Sequence, residues 1–182
     1  MERCDLCSVS IPPVHRHLLE LPGRQIQCTC DACALRFQGV TGGRFKLIPR
    51  DPRPIPGMHL SDAEWEGLAL PINLAFFFHS TPAGKMIALY PGPAGATESL
   101  LPLETWTGLA AANPILNTLE PDVEALLVNR VGENRDYLIV PIDACFELAG
   151  LIVTHWRGLS GGDVVWEKIA EFFARMKGGG GA

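Results

Sequence analysis

The 182-residue sequence has no apolar run long enough to cross a bilayer as a helix. The longest, Leu68 to Phe78, covers eleven residues and is broken by Pro71 and Asn73, against the roughly 20 that a span requires. No membrane insertion is expected. The start, Met1-Glu2-Arg3-Cys4-Asp5, lacks the basic opening and apolar core of a secretory signal, which predicts a cytoplasmic protein. With 47% hydrophobic and 19% charged residues, the composition excludes a disordered tail, a coiled coil and a collagen-like chain. No internal repeat occurs. The glycine-rich stretch Pro91 to Thr97 lacks the Lys and Ser/Thr order of a phosphate-binding loop and reads as a turn. Cysteine is nearly absent beyond residue 33, where Cys145 stands alone, yet five of the six cysteines fall before that point.

Charge divides the chain. Residues 1–56 carry 8 Lys+Arg against 5 Asp+Glu, and residues 57–182 carry 7 against 15. Near the boundary, Pro49-Arg50-Asp51-Pro52-Arg53-Pro54-Ile55-Pro56-Gly57 holds four prolines and is expected to be extended and stiff. The expected organisation is a cysteine-rich domain over residues 1–48, a linker over 49–57, an α+β domain over 58–177 and a flexible glycine tail over 178–182. The first of these is close to the size at which a hydrophobic core alone rarely suffices, so its order should depend on what its cysteines bind.

In the larger part, Ser61-Asp62-Ala63-Glu64 has the form of a capping box ahead of a short helix through Gly67. Two β-prone runs, Pro71 to His79 and Lys85 to Tyr90, predict a hairpin, followed by a Gly/Pro loop over Pro91 to Ala96. Leu103, Trp106 and Ala110 recur at helical spacing between Pro102 and Pro114. Val123 to Val131 and Asp136 to Ile142 predict a second hairpin, and Asp143 is placed to cap the helix that follows, with Cys145, Leu148, Ala149, Ile152 and Trp156 as its apolar stripe. Val165, Ile169, Phe172, Phe173 and Met176 define a last helix. The expected fold class is α+β: a small N-terminal metal ribbon of zinc-ribbon or rubredoxin type, then an antiparallel sheet of about four strands covered by helices. Phe76-Phe77-Phe78 breaks strict alternation, so that strand is either buried on both faces or leaves an aromatic exposed as a partner surface.

Cys4-Asp5-Leu6-Cys7 and Cys30-Asp31-Ala32-Cys33 are two C-x2-C pairs with 22 residues between them. Each pair can present two thiolates from one tight turn, and two such turns complete a tetrahedral four-sulfur shell around zinc. Cys4, Cys7, Cys30 and Cys33 are therefore the expected ligands, and a closed four-thiolate shell is a folding device rather than a catalyst. The same shell can hold a single iron as in rubredoxins, the electron-carrier alternative. Against that alternative, Ser8 and Ala34 stand where glycine usually follows each pair. Cys28, one residue outside the second pair, and His15 and His17, which alternate on one strand face, are further candidate ligands. They can exchange with the first set, serve a second metal or point away.

The remaining polar residues carry less. Arg44, Lys46, Arg50 and Arg53 read as a solvated face, because aromatic interleaving is limited to Phe45 and a tetrathiolate zinc would offset their charge. Nucleic acid is not an expected partner. Glu120, Asp122 and Glu124 read as an exposed acidic loop rather than a cation site. Cys145 lies on an apolar stripe and reads as a core thiol, while His79 and His155 have no sequence neighbour that makes either a base. No catalytic residue is assigned. An enzyme with a pocket in the α+β domain and the ribbon as its lid is the third functional alternative.

Taken together, Cys4-x2-Cys7, His15-Arg16-His17, Cys28-x-Cys30-x2-Cys33, Phe76-Phe77-Phe78, Pro93 to Ser99, Leu119 to Leu126 and Pro141-Ile142-Asp143-Ala144-Cys145 resemble an uncharacterised bacterial family often encoded beside nickel-iron hydrogenase genes. The resemblance runs over nearly the whole chain. It implies an accessory role in hydrogenase assembly or electron supply, with a hydrogenase subunit or maturation factor as partner. It implies no activity and no site residues.

Overall fold

The computed structural model describes residues 2–100 and 103–178. The expectations placed on Pro102 and on glycines 179–181 lie outside the described residues.

The N-terminal part forms a three-stranded antiparallel sheet. Strands β1 (Arg16–Glu20) and β2 (Gln25–Thr29) make a hairpin, and β3 (Phe45–Leu47) pairs on the other side of β1. A single helical turn, α1 (Asp31–Ala34), follows β2. The remainder is built on a six-stranded sheet, wholly antiparallel, in the order β4-β9-β8-β5-β6-β7. Its strands are β4 (Arg53–Pro54), β5 (Leu74–Ser80), β6 (Lys85–Gly92), β7 (Gly95–Ser99), β8 (Glu124–Asn129) and β9 (Asp136–Pro141). Helices α2 (Asp62–Glu66), α3 (Leu103–Ala112), α4 (Ile142–His155) and α5 (Asp163–Lys177) complete it.

Both predicted hairpins form, β5 with β6 and β8 with β9, and β8 pairs with β5 to join them. The sheet is larger than the four strands expected, because an edge strand is added at each side. β4 lies within the segment read as a linker, and β7 begins in the stretch read as a turn and runs on to Ser99. Pro91 and Gly92 finish β6, and Gly95 opens β7 after a two-residue turn. Edge strands need pair on one side only, so proline and polar residues are tolerated there and the hydrophobic signal is lost.

Helices cover both faces of the large sheet. On one face Phe76, Phe78, Leu127 and Val140 pack with Cys145 and Leu148 of α4 and Phe172 and Phe173 of α5. On the other, Phe77, Leu126 and Ile139 pack with Trp65 of α2 and Leu109 of α3, and the Phe77 and Trp106 rings stack at 6.1 Å. Period-two alternation sends Phe77 opposite to its neighbours, so all three phenylalanines are buried and none is left as a partner surface. The capping box of α2 forms as expected: the Glu64 amide donates to Ser61 Oγ at 3.2 Å, and the Ser61 amide to Glu64 Oε2 at 2.7 Å. Asp143 does not cap α4. The N-cap is Pro141, and the Asp143 carboxylate accepts from the Ala144 amide one residue on.

The N-terminal strands lie against this body. Leu19 of β1 and Ile48 belong to the same apolar cluster as α4 and α5. Lys46 donates to buried Asp122 at 2.7 Å, which also accepts from the Thr81 amide and hydroxyl. Arg53 makes two bonds to Glu124, at 2.9 and 3.0 Å, and Arg44 pairs with Glu20. Lys46 and Arg53 are thus no simple solvated face, and Asp122 and Glu124 no exposed acidic loop. The expectation failed because groups distant in sequence meet as ion pairs. Among the described residues, no helix is long and apolar enough to cross a membrane.

Candidate metal centre

The β1–β2 hairpin decides which candidate ligands meet. His17 stands directly opposite Cys28, and Leu19 opposite Ile26, and directly opposed residues share a face. That face turns toward α4, where Leu19 joins the core. On the other face Thr29 and Leu18 are fully buried, and Cys4 Sγ lies 3.7 Å from the Thr29 hydroxyl.

Around Cys4 the chain makes a tight turn: its amide donates to the Val9 carbonyl at 2.9 Å and its carbonyl accepts from the Ser8 amide at 2.8 Å. Ser8 sits at φ +61°, the left-handed region that glycine usually serves. Ala34 has an ordinary helical φ of −59° and needs no glycine. Cys30 caps α1, its Sγ accepting from the Cys33 amide at 3.4 Å. The two turns are tied directly, Asp5 N–H to the Cys28 carbonyl at 2.9 Å and Cys28 N–H to the Asp5 carboxylate at 2.6 Å.

These contacts gather the sulfurs of Cys4, Cys7, Cys30 and Cys33 within 4.8 Å of one another. Cys7 and Cys30 are 3.7 Å apart, against an edge of roughly 3.8 Å for a tetrahedron with zinc-sulfur bonds of about 2.3 Å. Cys4 is buried and Cys7 exposed, so the cluster sits at the surface with one side closed by Thr29. Burial alone would raise the Cys4 thiol, but the backbone amides of Cys30, Cys7 and Leu6 and the Thr29 hydroxyl outweigh it and hold it at about 6. Its neighbours respond in the opposite sense. Cys33 is pushed up to about 12 by the adjoining Cys30 and Cys7 and by burial. The Val9 amide favours the Cys7 thiolate, yet Cys4 and burial raise that thiol on balance. One thiolate forms readily and opposes the next, a balance that a divalent cation reverses. The four-cysteine cluster can bind a metal ion.

Cys28 does not join this set. With His15 and His17 it forms a second group whose ligand atoms also lie within 4.8 Å of one another. His17 Nδ1 bonds Asp143 at 2.7 Å across 126 residues of sequence. Sequence reasoning missed that partnership: an acid opening an apolar helix looks like a cap, and nothing local marks a distant histidine. Cys145 lies in the core as expected, with burial and then the Asp143 charge pushing its thiol up. His155 Nδ1 donates to the Leu151 carbonyl at 2.9 Å within its own helix. Between α2 and α3 a groove of about 310 Å³ is lined mainly by Leu60, Leu68, Phe77, Trp106 and Leu109, with Glu64 and Glu104 as its acids. Glu64 is engaged in the α2 cap, and no histidine or cysteine lines the groove.

The family described as "Family of unknown function (DUF5947)" matches residues 3–179, and the chain belongs to it. No curated protein and no solved structure matches.

Proposed function

From membership of a family whose function is unknown, we propose that this chain is a zinc-binding accessory protein. A centre of Cys4, Cys7, Cys30 and Cys33 orders residues 1–48, and the α+β region recognises a protein partner. The observation that carries the reading is the gathering of four sulfurs from two C-x2-C turns within 4.8 Å. A shell of four thiolates has no open position, which suits a structural ion, and zinc is the usual occupant. All six cysteines are free thiols, as a reducing compartment such as the cytoplasm keeps them. The partner, a nickel-iron hydrogenase subunit or maturation factor, is supported by the motif resemblance. Nucleic acid is disfavoured because Arg44, Lys46 and Arg53 are engaged with carboxylates.

The test is metal content and visible spectrum of untagged protein purified anaerobically, for the native chain and for Cys30→Ser. Colourless zinc that Cys30→Ser loses supports the reading. Iron with thiolate charge-transfer bands replaces it by an electron carrier, and no metal overturns it. Co-expression with each hydrogenase subunit and with the maturation factors, read by co-elution on size exclusion, tests the partner.

A further inference from the structure

We infer that His15, His17 and Cys28 form a second metal centre, separate from the four-thiolate cluster and open at one coordination position. The hairpin sets His17 opposite Cys28, and His15, in the segment just before β1, brings its ring to 4.8 Å from that of His17. The hydrogen-bond partners fix where the ring protons sit. A carbonyl or carboxylate can only accept, so His15 Nδ1, 2.9 Å from the Pro12 carbonyl, carries its hydrogen there. His17 Nδ1, 2.7 Å from Asp143 Oδ2, does the same. In the neutral rings each Nε2 is then a bare lone pair, and the two Nε2 atoms face one another at 3.1 Å. Two lone pairs at that distance repel unless a proton lies between them or a metal ion beside both, and the Cys28 sulfur, within 4.8 Å of each ring's ligand nitrogen, favours the metal. The His15 side chain is only 6% exposed, so the arrangement is held by packing.

Both histidines have the outer partners that metal-bound imidazoles require: a carboxylate for one and a backbone carbonyl for the other fix ring orientation and tautomer. Asp143 is therefore a positioning residue, held by its own bond to the Ala144 amide in the first turn of α4. Two imidazoles and a thiolate suit zinc and its late first-row neighbours rather than magnesium or calcium. Three protein ligands leave the fourth position free, the feature that separates an exchange-competent site from a closed structural one. A cavity of about 770 Å³ borders His15, His17 and Asp143, with Arg16, Arg50, Asp51, Glu147 and Arg175 among its other charged lining residues, so an exogenous ligand can reach the two imidazoles.

The full chain is titrated with Zn²⁺ and, separately, Co²⁺, alongside Cys28→Ser, His17→Ala, Asp143→Asn and Cys30→Ser, with circular dichroism confirming the fold of each. The expected native ratio is about two ions per chain, falling to about one in Cys28→Ser and in His17→Ala with the tetrathiolate cobalt bands retained. Cys30→Ser removes those bands instead, which keeps failure of the first centre distinct from failure of the second. Asp143→Asn weakens the second ion by about 10- to 100-fold while leaving its ligands in place. Azide shifts the cobalt bands of the second centre alone. A native ratio of about one that Cys28→Ser and His17→Ala leave unchanged overturns the centre. Second-centre bands that azide does not move overturn the open position.

Discussion

Up to residue 48 the buried apolar side chains are Cys4, Ile11, Leu18, Leu19, Ala34 and Ile48, and Leu19 and Ile48 belong to the core of the larger body. In that body, Leu74 to Phe78 on one strand are all at most 1% exposed and feed two separate apolar clusters. The N-terminal segment cannot be ordered mainly by the hydrophobic effect, because it has too little apolar surface to offset the entropy of fixing its chain. The large sheet needs nothing else. The candidate ligands follow the same division: they cluster where the apolar core is thin.

The largest test of this contrast is removal, by a chelator or by Cys30→Ser, of the metal proposed for the four-cysteine cluster. Structural zinc supplies about 10–16 kcal/mol in zinc-finger peptides, as much as the whole apolar burial of this segment at about 1.5–3 kcal/mol per side chain. Hydrogen exchange should show β1, β2 and α1 losing protection while β5, β6, β8 and β9 keep theirs. Simultaneous loss in all of them would mean that the shared Leu19 and Ile48 contacts make one cooperative unit, and the contrast would fall. Next comes Phe77→Ala, which empties a fully buried site between the sheet and α3 and should cost about 3–5 kcal/mol. Denaturant unfolding should register that loss with unchanged metal content per chain.

The seam between the regions gives a smaller effect. Lys46 is mostly buried against Asp122, whose side chain is 4% exposed. Lys46→Met removes the cation but leaves the carboxylate buried, at a cost of about 3 kcal/mol. Adding Asp122→Asn should recover part of it, since the Thr81 bonds can still be made. If the single variant unfolds at the native denaturant midpoint, the Lys46–Asp122 pair adds nothing to the seam.

How far the sequence revealed all this depended on the range of each interaction. The two central hairpins, the α2 cap and the C-x2-C pairs are local, written within a few residues, and each appears in the structure. β4 and β7 were hidden because edge strands escape the demand for alternating apolar residues. The pairing of Lys46 with Asp122 and of His17 with Asp143 spans 76 and 126 residues, and no periodicity encodes such a meeting. The separation of Cys28 from the four-thiolate set turned on register: opposite His17 it faces α4, and a one-residue slip would have turned it to the Cys4 side.

The smallest prediction probes the larger region with a purely local device. Ser61→Ala deletes the hydroxyl that accepts from the Glu64 amide and should cost about 1 kcal/mol. The Glu64 carboxyl lies below its ordinary value because the Ser61 hydroxyl and then the Ser61 amide donate to the carboxylate. A depressed carboxyl stabilises the fold above the unfolded-state pKa and loses that contribution as acid protonates it, so the difference between native and Ser61→Ala protein should narrow below about pH 4. Metal affinity should not change at neutral pH, because α2 packs on the sheet face opposite the one shared with Leu19 and Ile48. A cap variant that loosened the metal would show that the two regions communicate through the sheet, which the separate apolar clusters on its faces argue against.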